Sequence, residues 1–327
     1  MKKIILSVLI ISAFSLFFAK DKSQEIHVGL LNGPSCIPAA YLMENCKELK
    51  GEEKSSKISY EIYADPQTLL PKLIKNEADI GFMPVNVAAK VYNSGNKVLL
   101  CCAVTGLGNL TIITKDKNLH RFKDLRGKTI YTAGQGATPE YMLRYLLSKN
   151  KLTAGQTDNS NVKLNFSIPT SQLAAQLISG KIDYAAVPEP FATIAKMKSS
   201  EIVSALDFQK EFIEVTGSKN IYPLTVMVVR ADFAEKNPEL LEAFLKEYET
   251  AVDGTVKNPM GAALLTEKHS LGLDAAIVEK AIPVSNYTFV RAETAVSSVE
   301  ELLNIFIECD PSSIGGKLPE KSFYYTK

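Results

Sequence analysis

Leu177-Ile178-Ser179-Gly180-Lys181-Ile182-Asp183-Tyr184-Ala185-Ala186-Val187-Pro188-Glu189-Pro190 is the stretch on which the reading of this fold turns. A helix ends at Lys181, and Ile182–Val187 is short and apolar enough for a buried strand. Pro188 closes it where another helix opens, and Glu189, held between two prolines, sits at the junction. An earlier stretch has the same order. Leu73-Ile74-Lys75-Asn76-Glu77 ends a helix, Ala78–Pro84 reads as a strand, and Asn86 stands at the next helix start. Repeated helix–strand–helix units imply an α/β sheet, and ligands bind such sheets outside the strand C-termini. Asn86 and Glu189 therefore become facing polar groups.

The same alternation extends outward. Ile26–Leu31 reads as the first strand, and Ile37–Leu49 has helical spacing. Ile58–Tyr63 alternates with period two. Asp65-Pro66 opens a helix, since Asp caps free N–H groups and Pro suits the first turn. A helix over 86–92 and a strand over 98–104 complete a βαβαβαβ order, which predicts a mainly parallel sheet with helices on both faces. A second alternating block covers roughly 124–222. Strands are expected at 110–114, 129–131, 162–168, 182–187 and 224–229. The segment after Asn237 is helix-rich, with amphipathic stretches at 238–252 and 296–307. The chain thus reads as two α/β lobes, the second inserted into the first, with crossings near 105–115 and 222–231.

Composition narrows the function. Hydrophobic residues make up 46% and charged residues 22% of 327, which excludes a disordered chain. Lys+Arg is 37 against 36 Asp+Glu, so no global field exists to hold nucleic acid. Only His27, His120 and His269 are present, scattered, which argues against a His-based metal or nucleophile site. His27 is expected in the core. Lys2-Lys3, an apolar run from Ile4 to Phe18 and Ala19 describe a secretory signal over residues 1–19. At 15 residues the run is shorter than the about 20 that a membrane span needs. Bulky Phe17, three places before the cut, leaves an uncleaved anchor as the alternative. Removing 1–19 leaves 35 basic against 36 acidic residues. Cys101 and Cys102 are strand neighbours on opposite faces and cannot pair readily. The pairing of Cys46 with Cys309 stays open.

The strand-end logic selects the candidate ligand contacts: Asn32, Ser35, Met83, Asn86, Thr105, Gln135, Thr138, Thr170, Glu189 and Tyr222, with Ser171 beside them. Asn32-Gly33-Pro34-Ser35 and Gly134-Gln135-Gly136-Ala137-Thr138 both open helices, whose first N–H groups have no internal partner. The plain alternatives are a simple helix cap at Ser35 and an exposed loop acid at Glu189. Gly134-Gln135-Gly136 is neither a dinucleotide fingerprint nor a P-loop. The set contains no Arg or Lys, so it suits a neutral or weakly charged polar molecule with a donor for Glu189. Tyr63, Tyr222 and Phe191 offer aromatic faces, which points to a small heteroaromatic.

In element order, and in the phrases Leu177–Ala185, Glu189-Pro190-Phe191-Ala192, Asp124–Ile130 and Asp79-Ile80-Gly81-Phe82, the chain resembles periplasmic binding proteins of the second structural type. The branch is that of the sulfonate-, nitrate-, taurine- and thiamine-precursor-binding proteins of ABC importers. Leu31–Leu42 resembles a subgroup with Asn-Gly-Pro-Ser/Thr-Gly after the first strand, and Cys36 stands where that subgroup has Gly. The resemblance implies an α/β fold of two lobes joined by a two-strand hinge, with a ligand cleft between them. Lobe 1 would be 24–108 and 225–327, and lobe 2 would be 109–224. It further implies a monomer outside the cytoplasmic membrane that captures a small solute and delivers it to an ABC permease, with no cofactor and no chemistry. Two alternatives are a receptor that presents its ligand to a membrane sensor and a thiamine-pyrimidine-synthase-like enzyme. The enzyme relatives carry a Cys-rich segment, which Cys101-Cys102 matches only faintly.

Overall fold

The computed structural model describes residues 24–327 apart from 34, 52–54, 133, 156–160 and 219. The expected signal segment, 1–19, lies outside the described residues. Five strands come first: β1 (Gln24–Leu31), β2 (Glu48–Lys50), β3 (Ser55–Tyr63), β4 (Ile80–Pro84) and β5 (Leu99–Leu107). Then follow β6 (Leu110–Thr114), β7 (Thr129–Thr132), β8 (Ala154–Gly155), β9 (Val162–Asn165), β10 (Tyr184–Pro188) and β11 (Val203–Asp207). Two more return, β12 (Pro223–Arg230) and β13 (Tyr287–Arg291).

The helices between them begin with α1 (Cys36–Asn45), α2 (Pro66–Ile74), α3 (Val85–Val91) and α4 (Thr138–Lys149). Next are α5 (Thr170–Ile178), α6 (Phe191–Lys198), α7 (Phe208–Thr216) and α8 (Ala231–Lys236). The C-terminal quarter holds α9 (Pro238–Lys257), α10 (Pro259–Lys268), α11 (Ala275–Ala281) and α12 (Ala292–Cys309).

The strands form a seven-stranded sheet, β13-β5-β12-β4-β1-β3-β2, and a six-stranded sheet, β11-β6-β10-β7-β9-β8. In the first, β1 runs parallel to β3 and β4, whereas β12 lies antiparallel between β4 and β5. In the second, β7 is parallel to β9 and β10, and β6 is antiparallel to β10 and β11. Both sheets are therefore mixed, which corrects the expected mainly parallel sheet. The reason is the return of the chain. β12 re-enters the first sheet against the direction of its neighbours, and apolar periodicity carries no information on strand direction.

The crossings are short. Only Gly108 and Asn109 separate β5 in one sheet from β6 in the other. The Gly108 N–H donates to the Tyr222 carbonyl at 2.9 Å, tying the outgoing strand to the returning one. A Cβ at Gly108 would stand 2.5 Å from the Tyr222 ring, so this close approach requires glycine. Asn286 Nδ2 donates to the Gly108 carbonyl at 2.7 Å and Asn109 Nδ2 to the Ser285 carbonyl at 2.9 Å, so the loop before β13 braces the same point.

Local chemistry sets the start of α2. Asp65 Oδ1 accepts the Thr68 N–H at 2.8 Å, with Pro66 in the first turn of α2. By contrast α1 stops at Asn45, and Glu48–Lys50 forms the edge strand β2 instead of the end of a longer helix. The core lies on both faces of the first sheet. Phe82 packs on Tyr248 of α9 at 5.1 Å on one side, while Met83 joins Leu69 and Leu73 on the other. Each such fully buried side chain stabilises the fold by about 1.5–3 kcal/mol. Cys101 and Cys102 fall into separate core clusters, as strand alternation requires.

Candidate functional site

The C-terminal ends of β1 and β4 in one sheet meet those of β7 and β10 in the other. After β1 the chain turns through Gly33, whose φ of 116° is open to glycine alone among ordinary residues. A methyl built on Gly33 would lie 3.2 Å from the Phe191 ring. Phe191, the first residue of α6, thus covers the β1–α1 turn from the opposite side. Further contact comes from α6 against α11.

Two predicted contacts in this turn differ in what they offer. Asn32 is exposed. Ser35 is buried, and its hydroxyl accepts the Leu31 N–H at 2.9 Å and donates to the Leu31 carbonyl at 2.7 Å. The one hydroxyl proton is therefore spent within the turn. Cys36 is fully buried, its thiol donating to the same carbonyl at 3.2 Å, and burial pushes that thiol up to about 11.

At the end of β4, Met83 is fully buried in the core with Leu69 and Leu73. Its side chain packs on the face of the sheet opposite Phe82, as strand alternation requires. Asn86 is also fully buried, and its amide is committed to protein partners. Nδ2 donates to the Gly136 carbonyl at 2.9 Å and the Ser313 carbonyl at 3.2 Å, and Oδ1 accepts from Thr138 Oγ1 at 3.1 Å. Expected as ligand-facing groups, Asn86 and Thr138 instead bind each other across the gap between the sheets.

Gln135 is exposed at the tip of the turn after β7. The Gly136 N–H is occupied, donating to Glu140 Oε2 at 2.7 Å, while Glu140 Oε1 accepts from Arg144 Nε at 2.7 Å. The opening of α4 thus carries its own carboxylate, the arrangement that best complements a helix N-terminus.

At the end of β10, Glu189 is 5% exposed. Its Oε2 accepts the Thr193 N–H at 3.0 Å, so it caps α6. Burial raises its pKa above the ordinary carboxyl range, against the opposing pull of the Thr193 hydrogen bonds. It acts electrostatically on Tyr287 of β13, in the other sheet, and Tyr287 in turn lies within reach of Cys36. Glu189, Cys36 and Tyr287 are thus near enough to act on one another electrostatically, and Phe191 covers the turn that precedes Cys36.

The remaining predicted residues are dispersed. Thr105 is buried in the first sheet with its hydroxyl on the Thr225 carbonyl at 3.4 Å. Thr170 is half-buried at the start of α5. Tyr222 packs edge-on against Phe212 at 5.3 Å and against Gly108, so it belongs to the crossing and not to the cleft wall. Its buried hydroxyl has no hydrogen-bond partner among the described residues.

A profile of the NMT1-like family matches residues 67–258, well over half of the chain. The chain belongs to the NMT1-like family. This NMT1-like chain is 24% identical over 245 residues to the taurine-binding periplasmic protein of Escherichia coli strain K12, covering 75% of the chain and 71% of that protein. Among solved structures it is similar to an ABC transporter protein from Parabacteroides distasonis, with TM-score 0.76 and 24% identity over 93% of this chain and 100% of the other. The Escherichia coli periplasmic aliphatic sulphonate-binding protein SsuA gives TM-score 0.70 and 16% identity, covering 93% and 92%. The periplasmic nitrate-binding protein NrtA of Synechocystis PCC 6803 gives 0.67 and 12%, covering 88% and 82%. The fold is that of the type II periplasmic binding proteins, as its sequence implied.

Within this NMT1-like fold, His27 is exposed, with Nδ1 at 2.7 Å from Ser59 Oγ, and not in the core as expected. Cys101 and Cys102 are buried, and burial pushes the Cys101 thiol up to about 12. Such thiols are poor nucleophiles and ligands. Cys46 and Cys309 are both free. Among the described residues no helix is long and apolar enough to cross a membrane. Tyr287 was missed because it lies in the helix-rich C-terminal quarter. The alternating run Tyr287-Thr288-Phe289-Val290-Arg291 was the signal that could have found it.

Proposed function

We propose that this protein is the solute-binding component of an ABC importer, working on the outer side of the cytoplasmic membrane after export by residues 1–19. It takes a small polar solute, of heteroaromatic type, between a lobe of 24–108 and 225–327 and a lobe of 109–224. It then hands the solute to a membrane permease, as a monomer and without chemistry of its own. One observation carries this reading: two α/β sheets, joined by the Gly108 and Tyr222 crossings, turn their strand ends toward each other, so that Phe191 covers Gly33. Domains joined in this way can hinge about the connection. The named relatives are binding proteins, which supports the assignment.

Native mass spectrometry of the chain from residue 20 onward, before and after refolding, tests it. The expected result is an added mass that disappears on refolding. No added mass, together with no thermal stabilisation across pyrimidines, flavins, amino acids and sulfonates, would overturn the reading.

A further inference from the structure

A cavity of about 380 Å³ opens on the flank of the first sheet. Its lining residues all come from that sheet and the elements packed on it, so it stands apart from the space between the two sheets. Its cause is the short edge strand. β2 pairs only with Ser55–Lys57 of β3. Just beyond, the Ile58 N–H reaches the Lys47 carbonyl at 3.4 Å. From Ser59 to Tyr63, β3 has no further strand on that side among the described residues. Alternate strand residues share a face. Ile58, Tyr60 and Ile62 of β3 therefore line the cavity together, with Met43 and Cys46 at the end of α1 and Leu271 beyond α10.

The walls carry little charge. Burial, and after it the Glu247 carboxylate of α9, pushes the Cys46 thiol up to about 11. Burial also raises the Tyr60 phenol, on which Cys46 acts. Both groups are thus neutral at working pH. Lys47 and His269 complete the lining. Glu44 is answered beside them, Oε1 by Lys268 Nζ at 2.7 Å and Oε2 by His269 Nε2 at 3.1 Å. The two remaining charges, Lys47 on the lining and Glu247 acting on Cys46, are of opposite sign. A carboxylate ligand would meet Glu247, and an ammonium would meet Lys47. Lys47 is exposed, and its stem can lie along an apolar wall with the amine in water.

Small-molecule sites occupy about 300–1,000 Å³, and this cavity falls at the lower end of that range. An apolar body seated in it would cover Ile62, which is otherwise 41% exposed. A single hydroxyl on that body has hydrogen-bonding partners in Lys47 and His269. We propose that this cavity is a second binding site, separate from the solute space, for an uncharged small molecule with an apolar ring or chain and one hydroxyl, of the phenol or short-alcohol class.

The chain from residue 20 onward, isotope-labelled at the methionine methyls, is titrated with hexanol and phenol and followed by NMR. Met43→Leu assigns the Met43 signal. The expected result is a saturable shift of Met43 with one or both alcohols, while Met83 and Met227, fully buried in the core, stay unmoved. Ile62→Glu and Ile62→Lys, at an exposed position, each weaken binding about tenfold or more through loss of an apolar wall. Hexanoate and hexylamine bind about tenfold more weakly than hexanol, or not at all, since each brings a charge to a largely apolar cavity. Melting temperatures check that the variants fold, and either variant suffices if the other does not. A Met43 signal that neither alcohol moves overturns the proposal. So does a shift that no folded variant weakens, or one that only one of two folded variants weakens, since charge and not the apolar wall would then decide it. Hexanoate or hexylamine bound as tightly as hexanol overturns it too. The solute-binding reading rests on the captured mass and stands apart from these outcomes.

Discussion

Removing the Asn86 amide tests how the two sheets are held together. Asn86→Ala deletes three hydrogen bonds at a position with no solvent exposure, to Gly136, Ser313 and Thr138. Each contributes about 1 kcal/mol net, and stranding the buried partners adds to the loss, for a total of about 3–5 kcal/mol. Asn86→Asp goes further. It keeps the acceptor for Thr138 but turns a carboxylate toward two carbonyl oxygens, so at neutral pH it costs more than the alanine. Burial raises the pKa of such a carboxyl in the folded state. Its neutral form is the tolerated one, and the deficit shrinks as pH falls. Urea unfolding followed by tyrosine fluorescence is the assay, since the chain has 13 Tyr and no Trp. Asn86→Ala within about 0.5 kcal/mol of wild type, the range of an ordinary surface change, would refute the reasoning. So would an Asp variant that is no worse than Ala.

Three other outcomes follow from the same geometry. Met83→Ala lowers stability by about 2–5 kcal/mol, the cost of a buried cavity, and leaves solute affinity unchanged; a calorimetric loss of affinity at equal fold content would return Met83 to the site. Glu189 has a folded pKa above its unfolded one, so its contribution to stability is full below the unfolded value and is lost as pH rises through the folded value. Melting curves between roughly pH 4 and pH 7 should then show Glu189→Gln gaining on wild type as pH rises, and a gap that narrows instead contradicts the assigned cause. Iodoacetamide should modify exposed Cys309 first in the native chain and the four buried thiols only after unfolding; an earlier adduct on Cys36 or Cys46 would disagree with their burial.

Much of the fold was legible in local pattern. Ile58–Tyr63 alternates, Asp65-Pro66 announces a helix, and the matched stretches ending at Asn86 and Glu189 announce strand ends. These signals arise within a few residues, because side-chain periodicity and capping are local. The roles of individual site residues were much less legible. Asn86 finds its partners 50 and 227 positions away, and Tyr287 reaches the site from a strand more than 170 residues beyond β5, its partner.

The sequence by itself determined the α/β alternation, the absence of Lys and Arg from the strand-end turns and, through its resemblance, the type II binding-protein class. Tertiary structure alone decided the antiparallel entry of β12, and it alone decided which polar groups remain available. Ser35, Asn86 and Thr138 look like ligand contacts as residues, yet each is satisfied by another part of the chain. A polar side chain declares only its capacity to hydrogen-bond. Whether that capacity is used inside the protein or left for a solute depends on which distant backbone groups the packed sheets bring within 3 Å or so of it.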